Sequence, residues 1–419
     1  MKQLVIVGAG ASGMAAAISA KRQAKELKSD LSVLLLEHKE KIGKKILATG
    51  NGRCNLTNEK MELSCYHSDD LNIADQILAR YGKEEIKDFF RSMGLVLLTR
   101  NGYVYPRSAQ SSSVLDTLLI TMEELGVEWK TSADVKKITK DSEGFLVATQ
   151  EETVRADAVI LSSGGKASPN FGSDGSGYAF ATAFGHTLSP VVPALVQLRS
   201  KGHPFEKTAG VRTIAEVTAY VNGKACARDK GELQLTDYGL SGIPIFQISR
   251  YISKALQEGR SAEVGIDFLP EMSEEELLSY LMHHIEAYPD LKASDFLVGL
   301  FNERLIPRLL ELAGIKNNRR AETLKETEIR RLADVCKCSL IPIDGTNGFS
   351  AAQVSAGGIR LFEINPDTME SKKQRGLYLT GEILDVDGIC GGYNLHWAWA
   401  TGICAGEAAA KHLSKGDAS

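Results

Sequence analysis

Residues 4–13 read Leu4-Val5-Ile6-Val7-Gly8-Ala9-Gly10-Ala11-Ser12-Gly13, and the order of side chains in this stretch decides the fold. Four apolar residues in a row, too few for a helix and closed by glycine, predict a strand buried on both faces. The glycines have the spacing GxGxxG, and the alanine-rich stretch from Met14 to Leu27 is helix-prone. A second apolar run, Leu31 to Leu36, ends in Glu37. Strand, glycine turn, helix, strand is a βαβ unit. In that context the first glycine permits a tight turn, the second lets the backbone approach a pyrophosphate, and the third allows the helix to pack on the strand. The helix N-terminus then attracts the negative charge. Gly8, Gly10, Ala11, Ser12 and Gly13 are candidate dinucleotide contacts, with Ala17 as a small residue further along the helix. Glu37 follows Gly13 by 37 − 13 = 24 residues, close to the interval at which a carboxylate accepts hydrogen bonds from an adenosine ribose. His38 beside it joins the candidate set.

The chain has 419 residues, beyond the size at which one core keeps growing, so two or three structural units are expected. Hydrophobic residues at 43% and charged residues at 24% describe an ordinary globular protein. Lys+Arg 49 against Asp+Glu 53 gives 49 − 53 = −4, and with the signs interspersed no nucleic-acid partner is expected. Seven cysteines in an odd, scattered set do not make a disulfide framework. Cys336-Lys337-Cys338 lacks the spacing of a redox or zinc motif, so no metal is expected. The run 4–7 is too short for a signal peptide, and no apolar stretch is long enough for a bilayer. Hence no membrane partner and a cytoplasmic location are expected. The sequence is silent on oligomeric state.

Residues 43–58, GKKILATGNGRCNLTN, have no periodicity and read as a loop of the kind that lines sites. Beyond Pro190, segments 191–268 alternate as short antiparallel strands. From Ser273, paired with Glu276 as a capping box, the texture is helical to about Leu332. Near the end, Leu377-Tyr378-Leu379-Thr380-Gly381-Glu382 is a strand closing on glycine and an acid, followed by glycines and a helix over 397–413. In FAD enzymes of the two-part fingerprint type, a late strand brings an acid to the ribityl chain and the next helix N-terminus meets the flavin ring. NAD dehydrogenases need no such element. FAD is therefore the expected cofactor, with Gly381, Glu382, Asp387, Gly392, Tyr393, Asn394 and Leu395 as contacts. The expected fold is α/β, a Rossmann-like FAD-binding domain over 1–190 and 345–419. It is interrupted by an inserted β-barrel-like domain, 191–270 and 333–344, and a small helical subdomain, 271–332.

The strings GKKILATGNGRCNLTN (43–58), GYVYPRS (102–108), GELQLTDYGLSGIPIFQISR (231–250), AAQVSAGGI (351–359) and GEILDVDGICGGYNLHWAWATG (381–402) together resemble those of the BaiN-like flavoproteins. That family includes 3-dehydro-bile-acid delta-4,6-reductases and aminoacetone oxidases. The resemblance spans nearly the whole chain and implies an FAD domain with a β and helical insert. It also implies that Lys44, Thr49, Gly50, Asn51, Arg53, Cys54 and Asn55 lie against the flavin, with Val135 and Gly164-Gly165 as further cofactor contacts. Where relatives often carry Ala-Thr-Gly-Gly, this chain has Ser162-Ser163-Gly164-Gly165, which leaves backbone contacts intact.

No catalytic acid or base is certified by the sequence. The candidates are Arg53, Tyr105 and His396, a histidine two residues after Asn394 in the late motif, where relatives commonly have Gln. The expected reaction is hydride transfer between flavin N5 and a small organic or steroid-like substrate. With no second GxGxxG in the chain, NADH or NADPH would visit the flavin only transiently as electron donor. Two alternatives stand beside it: an O2-dependent amine oxidase, and a flavin-holding module without catalysis.

Overall fold

The computed structural model describes residues 2–415. Its first strand, Lys2–Val7, lies at the centre of a five-stranded sheet in the order 377–379, 158–161, 2–7, 31–36, 128–130, every pairing parallel. Continuous apolar runs form these strands because both faces are covered; Leu4, Ile6, Leu35, Val159 and Leu379 have no exposed surface. The register sets Val7 level with Leu36 and Leu161, and Leu161 level with Leu379. Four strands therefore end at one edge, and their following segments, starting at Gly8, Glu37, Ser162 and Thr380, gather there.

Helix Ala11–Glu26 covers this sheet beside the long helix Tyr393–Lys415, which begins four residues before the expected 397. Glycines fix their closeness: a Cβ on Gly402 would lie 2.3 Å from the Ser12 carbonyl oxygen, and one on Gly406 would lie 2.2 Å from that of Ala16. Positions increase together along both helices, so the two run parallel. The segment 43–58 is more ordered than its composition suggests, with a short helix Lys44–Ala48, a tight turn over 49–52 and strand Thr57–Asn58. That strand joins a small antiparallel sheet with 103–106 and 97–100.

The chain divides into two compact units, one formed by residues up to Val191 and again from Val354, the other by Val192–Gln353. Within the second unit, seven strands form a sheet in the order 339–342, 262–267, 212–221, 224–235, 239–242, 198–199, 345–346. Its two edge strands are separated by only Ile343 and Asp344, so the edges stand within about 11 Å of each other and the sheet must curl. Helix Glu274–Ala287 starts on the capping box, with the Glu276 amide donating to Ser273 Oγ at 3.1 Å and the Ser273 amide to Glu276 Oε2 at 2.7 Å.

Two expected boundaries are corrected. The insert ends at Gln353 and not at 344, because Gly345–Thr346 pairs with Leu198–Arg199 as an edge of the insert's own sheet. The helical stretch 271–332 is not a separate subdomain: Leu277, Leu309 and Leu332 share one core with Val217 and Ile266 of the sheet. In the first unit, the points where the chain leaves and returns are adjacent. The Ser189 amide donates to the Gly358 carbonyl at 2.8 Å, and a Cβ on Gly357 would meet the Pro190 oxygen at 2.1 Å.

Candidate functional site

The edge where the parallel strands end carries the glycine motif. Gly8 has φ +103°, and a Cβ there would come within 2.4 Å of the Ser162 carbonyl oxygen; one on Gly13 would come within 2.0 Å of the Gly8 oxygen. These two glycines are thus demanded by packing. Gly10 differs, since nothing lies within 4 Å of its Cβ position. It caps helix Ala11–Glu26, whose first turn holds no acidic residue, so open space meets free amides and the positive end of the helix.

Glu37 is buried beside this turn. Its Oε2 accepts from the Ala9 amide at 3.0 Å and its Oε1 from the Lys39 amide at 2.9 Å, with His38 Nδ1 at 3.3 Å. The carboxylate is held in one orientation at the mouth of the loop. Across the edge, Glu382 accepts from Lys45 Nζ at 2.7 Å and from the Ser355 amide at 2.8 Å. Lys45 also donates to the Ala167 carbonyl at 3.2 Å. Gly165 is packed against this group, for a Cβ there would sit 2.8 Å from Glu382 Oε1. Sequence reasoning passed over Lys45 and singled out its neighbour Lys44, which pairs with Glu40 at 2.8 Å. Nothing local marks the difference, because the partner of Lys45 lies 337 positions away.

The 49–55 turn is folded by left-handed backbone at Gly50, Asn51, Gly52 and Cys54, with φ of 56°, 52°, 79° and 57°. Such conformations in non-glycine residues are costly and concentrate at functional sites. Thr49 Oγ1 closes the turn on the Ile46 carbonyl. Arg53 is exposed, whereas Cys54 is fully buried and burial pushes its thiol up to about 12. Asn55 is buried, and its Oδ1 has no donor; it lies 2.9 Å from the Cβ position of Gly392, at the start of helix Tyr393–Lys415. An orphaned acceptor beside a helix N-terminus is the arrangement a ligand N–H would complete.

At that N-terminus Asn394 is committed to the chain itself, its Oδ1 accepting from the Gly388 amide at 2.8 Å and its Nδ2 donating to the Gly388 carbonyl at 2.7 Å. Asp387 is buried on a strand pairing with His67. Tyr393 donates its hydroxyl to the Lys60 carbonyl at 2.9 Å. Val135 is buried, and Gly164 has φ +73°.

His396 is fully buried. Its Nε2 must donate to the Tyr81 carbonyl at 2.9 Å, which leaves Nδ1 to accept from Thr57 Oγ1 at 2.8 Å. Burial lowers its pKa to about 4. A neutral ring with both nitrogens engaged ties three segments together and has no proton to offer a substrate, so the sequence-based suggestion of chemistry is corrected to a structural role. Tyr105 lies on strand Tyr103–Pro106. Burial and the neighbouring Tyr103 raise its phenol, while the charges of Arg53 and Arg100 draw it down.

Among the described residues no cluster of His, Cys, Asp and Glu could hold a metal, and no helix is long and apolar enough to cross a membrane.

Comparison with known proteins matches residues 2–408 to the model described as the HI0933-like protein Rossmann domain. The chain is 52% identical over 411 residues to a 3-dehydro-bile acid delta(4,6)-reductase of Clostridium scindens, covering 98% of this chain and 100% of the relative. It is 31% identical over 405 residues to a ribosomal RNA dihydrouridine synthase of Escherichia coli, covering 95% of each. A protein of the same name from Haemophilus influenzae is 27% identical over 404 residues, covering 95% of this chain and 96% of the relative.

Proposed function

The chain belongs to the HI0933-like Rossmann family, and from that premise we propose that it is an FAD-dependent oxidoreductase that reduces carbon–carbon double bonds conjugated to a carbonyl. One observation carries the choice of FAD over a nicotinamide dinucleotide as the resident cofactor. Helices Ala11–Glu26 and Tyr393–Lys415 run parallel with Gly402 level with Ser12, so the second helix starts about eight residues before the first. At 1.5 Å per residue their N-termini are offset by roughly 12 Å. That spacing suits an elongated cofactor with a pyrophosphate at one positive helix end and an electron-rich ring edge at the other.

The residues fit such a group. Gly10 leaves room for the pyrophosphate, Glu37 is oriented for the adenosine ribose, and Glu382, held by Lys45, for the ribityl hydroxyls. Asn55 Oδ1 offers the missing acceptor for a ring N–H. When bound there, FAD supplies a two-electron carrier that exchanges a hydride at N5.

The choice of reaction rests on what the relatives' names share. A 3-dehydro-bile acid with double bonds at positions 4 and 6 is a conjugated ketone, and the double bond lost when uridine becomes dihydrouridine is conjugated to a ring carbonyl. The steroid-like substrate is favoured here, because the relative named for it is 52% identical and the one named for RNA 31%. NADH or NADPH visits transiently as donor, in keeping with a chain that holds one GxGxxG.

The test is anaerobic: purified yellow protein is mixed with NADH, then NADPH, and then with a 3-oxo-4-ene bile acid. Bleaching of the flavin followed by its recovery on addition of the steroid is the expected outcome. Protein that neither carries nor binds FAD would falsify the reading. A flavin bleached only by an amine substrate would transfer it to the oxidase class.

A further inference from the structure

Beside the 49–55 turn, the hairpin 97–100/103–106 exposes one face. Leu98 stands opposite Tyr105 and Arg100 opposite Tyr103, so these four side chains project from the same side. Val104, between the two tyrosines, points the other way and is fully buried. Tyr103 and Tyr105 have ring centroids 6.4 Å apart. The Tyr103 ring packs on the start of the last helix, its Cε1 being 3.1 Å from the Cβ position of Gly391.

The face also carries charge. Several cations nearby are matched: Lys83 and Lys87 hold Glu59, Lys60 lies by Glu62, and Lys44 by Glu40. Arg53 and Arg100 have no side-chain hydrogen bond or ion pair among the described residues; Arg100 projects from the same face as Tyr105, and the charges of both arginines draw the phenol down against the burial that raises it. Cationic charge acting on a phenol stabilises its anion, which is what a proton donor needs after the proton has left.

We infer that Tyr105 is the catalytic proton donor of the reduction, with Arg53 and Arg100 as the positioning residues whose charges stabilise the phenolate it becomes. This deepens the reductase reading and rests on it. The substrate gains a hydride at the carbon β to its carbonyl, taken from the reduced flavin, and a proton at the α carbon, taken from the Tyr105 hydroxyl. The carbon–carbon π bond is lost, the flavin is oxidised by two electrons, and the phenolate regains its proton from solvent. Tyr105 remains protonated at neutral pH, because burial and Tyr103 outweigh the two arginines.

The test separates the two half-reactions of the holoenzyme in Tyr105→Phe, Tyr103→Phe, Arg100→Met and Arg100→Lys. Tyr105→Phe should leave flavin bleaching by the nicotinamide unchanged and slow reoxidation by a 3-oxo-4-ene bile acid by about a hundredfold or more, with Tyr103→Phe near wild type. The rate of reoxidation should fall at high pH in wild type. Arg100→Met should move that fall to higher pH, and Arg100→Lys should restore it. A readout independent of turnover is the tyrosinate difference spectrum of the protein as purified. One phenol should vanish in Tyr105→Phe, and the same phenol should titrate later in Arg100→Met. Equal slowing of both half-reactions, or a pH profile indifferent to Arg100, overturns the assignment while leaving the reductase intact. If the steroid fails to reoxidise the flavin at all, the reductase reading fails; the tyrosinate titration still decides whether Arg100 acts on Tyr105, and an unmoved titration overturns that too.

Discussion

His396 shows how a single side chain can mislead from sequence and still have a measurable consequence. Its ordinary pKa of 6.5 is lowered to about 4 by burial, so the unfolded chain binds the proton more readily than the folded one. Stability is therefore full above about pH 6.5 and falls as pH drops toward about 4, by on the order of 3 kcal/mol. Gln at this position can accept from Thr57 and donate to Tyr81 without titrating. In His396→Gln the melting temperature should decline less steeply across that interval than in the wild type, the remaining decline coming from groups such as His186 and His203 that burial also lowers; parallel curves would refute the account. Lys45 makes the opposite case, a residue that only the fold reveals. Lys45→Met should weaken FAD binding about tenfold, read by flavin fluorescence, and Lys45→Arg should keep most of it. Affinity unchanged in Lys45→Met would remove Lys45 from the cofactor site. What was legible at this scale was whatever local spacing enforces, namely Gly8, Gly13 and Glu37. Partners brought in from hundreds of residues away, such as Glu382 for Lys45, leave no trace in the local pattern.

Among the elements, the paired helices set the geometry of the site. Gly402 and Gly406 let the backbone of helix Tyr393–Lys415 approach that of Ala11–Glu26 closely, and even one methyl group would collide with main-chain oxygen. Gly406→Ala should lower stability by about 1–3 kcal/mol and weaken FAD binding in parallel, since pushing the helices apart disturbs both N-termini. Thermal melts with and without added FAD check this; a destabilised variant that binds FAD normally would mean the offset is maintained by other contacts. The sequence showed the two strand–glycine–helix elements because each has a short apolar run closing on a glycine turn. It misplaced the start of the second helix: Tyr393, His396 and Trp397 form the buried side of its first turns, but Gly388, Gly391 and Gly392 just before them make the segment read as a continuing turn.

At the scale of the whole molecule, each unit has its own sheet and its own core. The α/β class was readable from the βαβ unit over residues 4–37, and the presence of an insert from a change of texture beyond Pro190. The return point was not, because a two-residue strand such as Gly345–Thr346 carries no pattern of its own and is fixed only by its partner strand. Replacing 192–353 by a short Gly-Ser linker should leave a folded protein that still binds FAD, as judged by circular dichroism and quenching of flavin fluorescence. Loss of all FAD binding in a folded product would show that the nucleotide half is not self-sufficient. The adjacency of Pro190 and Gly357 also bears on ancestry. A segment that departs and returns through one doorway can lengthen, shorten or be exchanged without shifting the register of the parallel strands. Selection can therefore remodel the two sheets on separate schedules, one conserved as an inherited cradle and the other free to diversify among descendants.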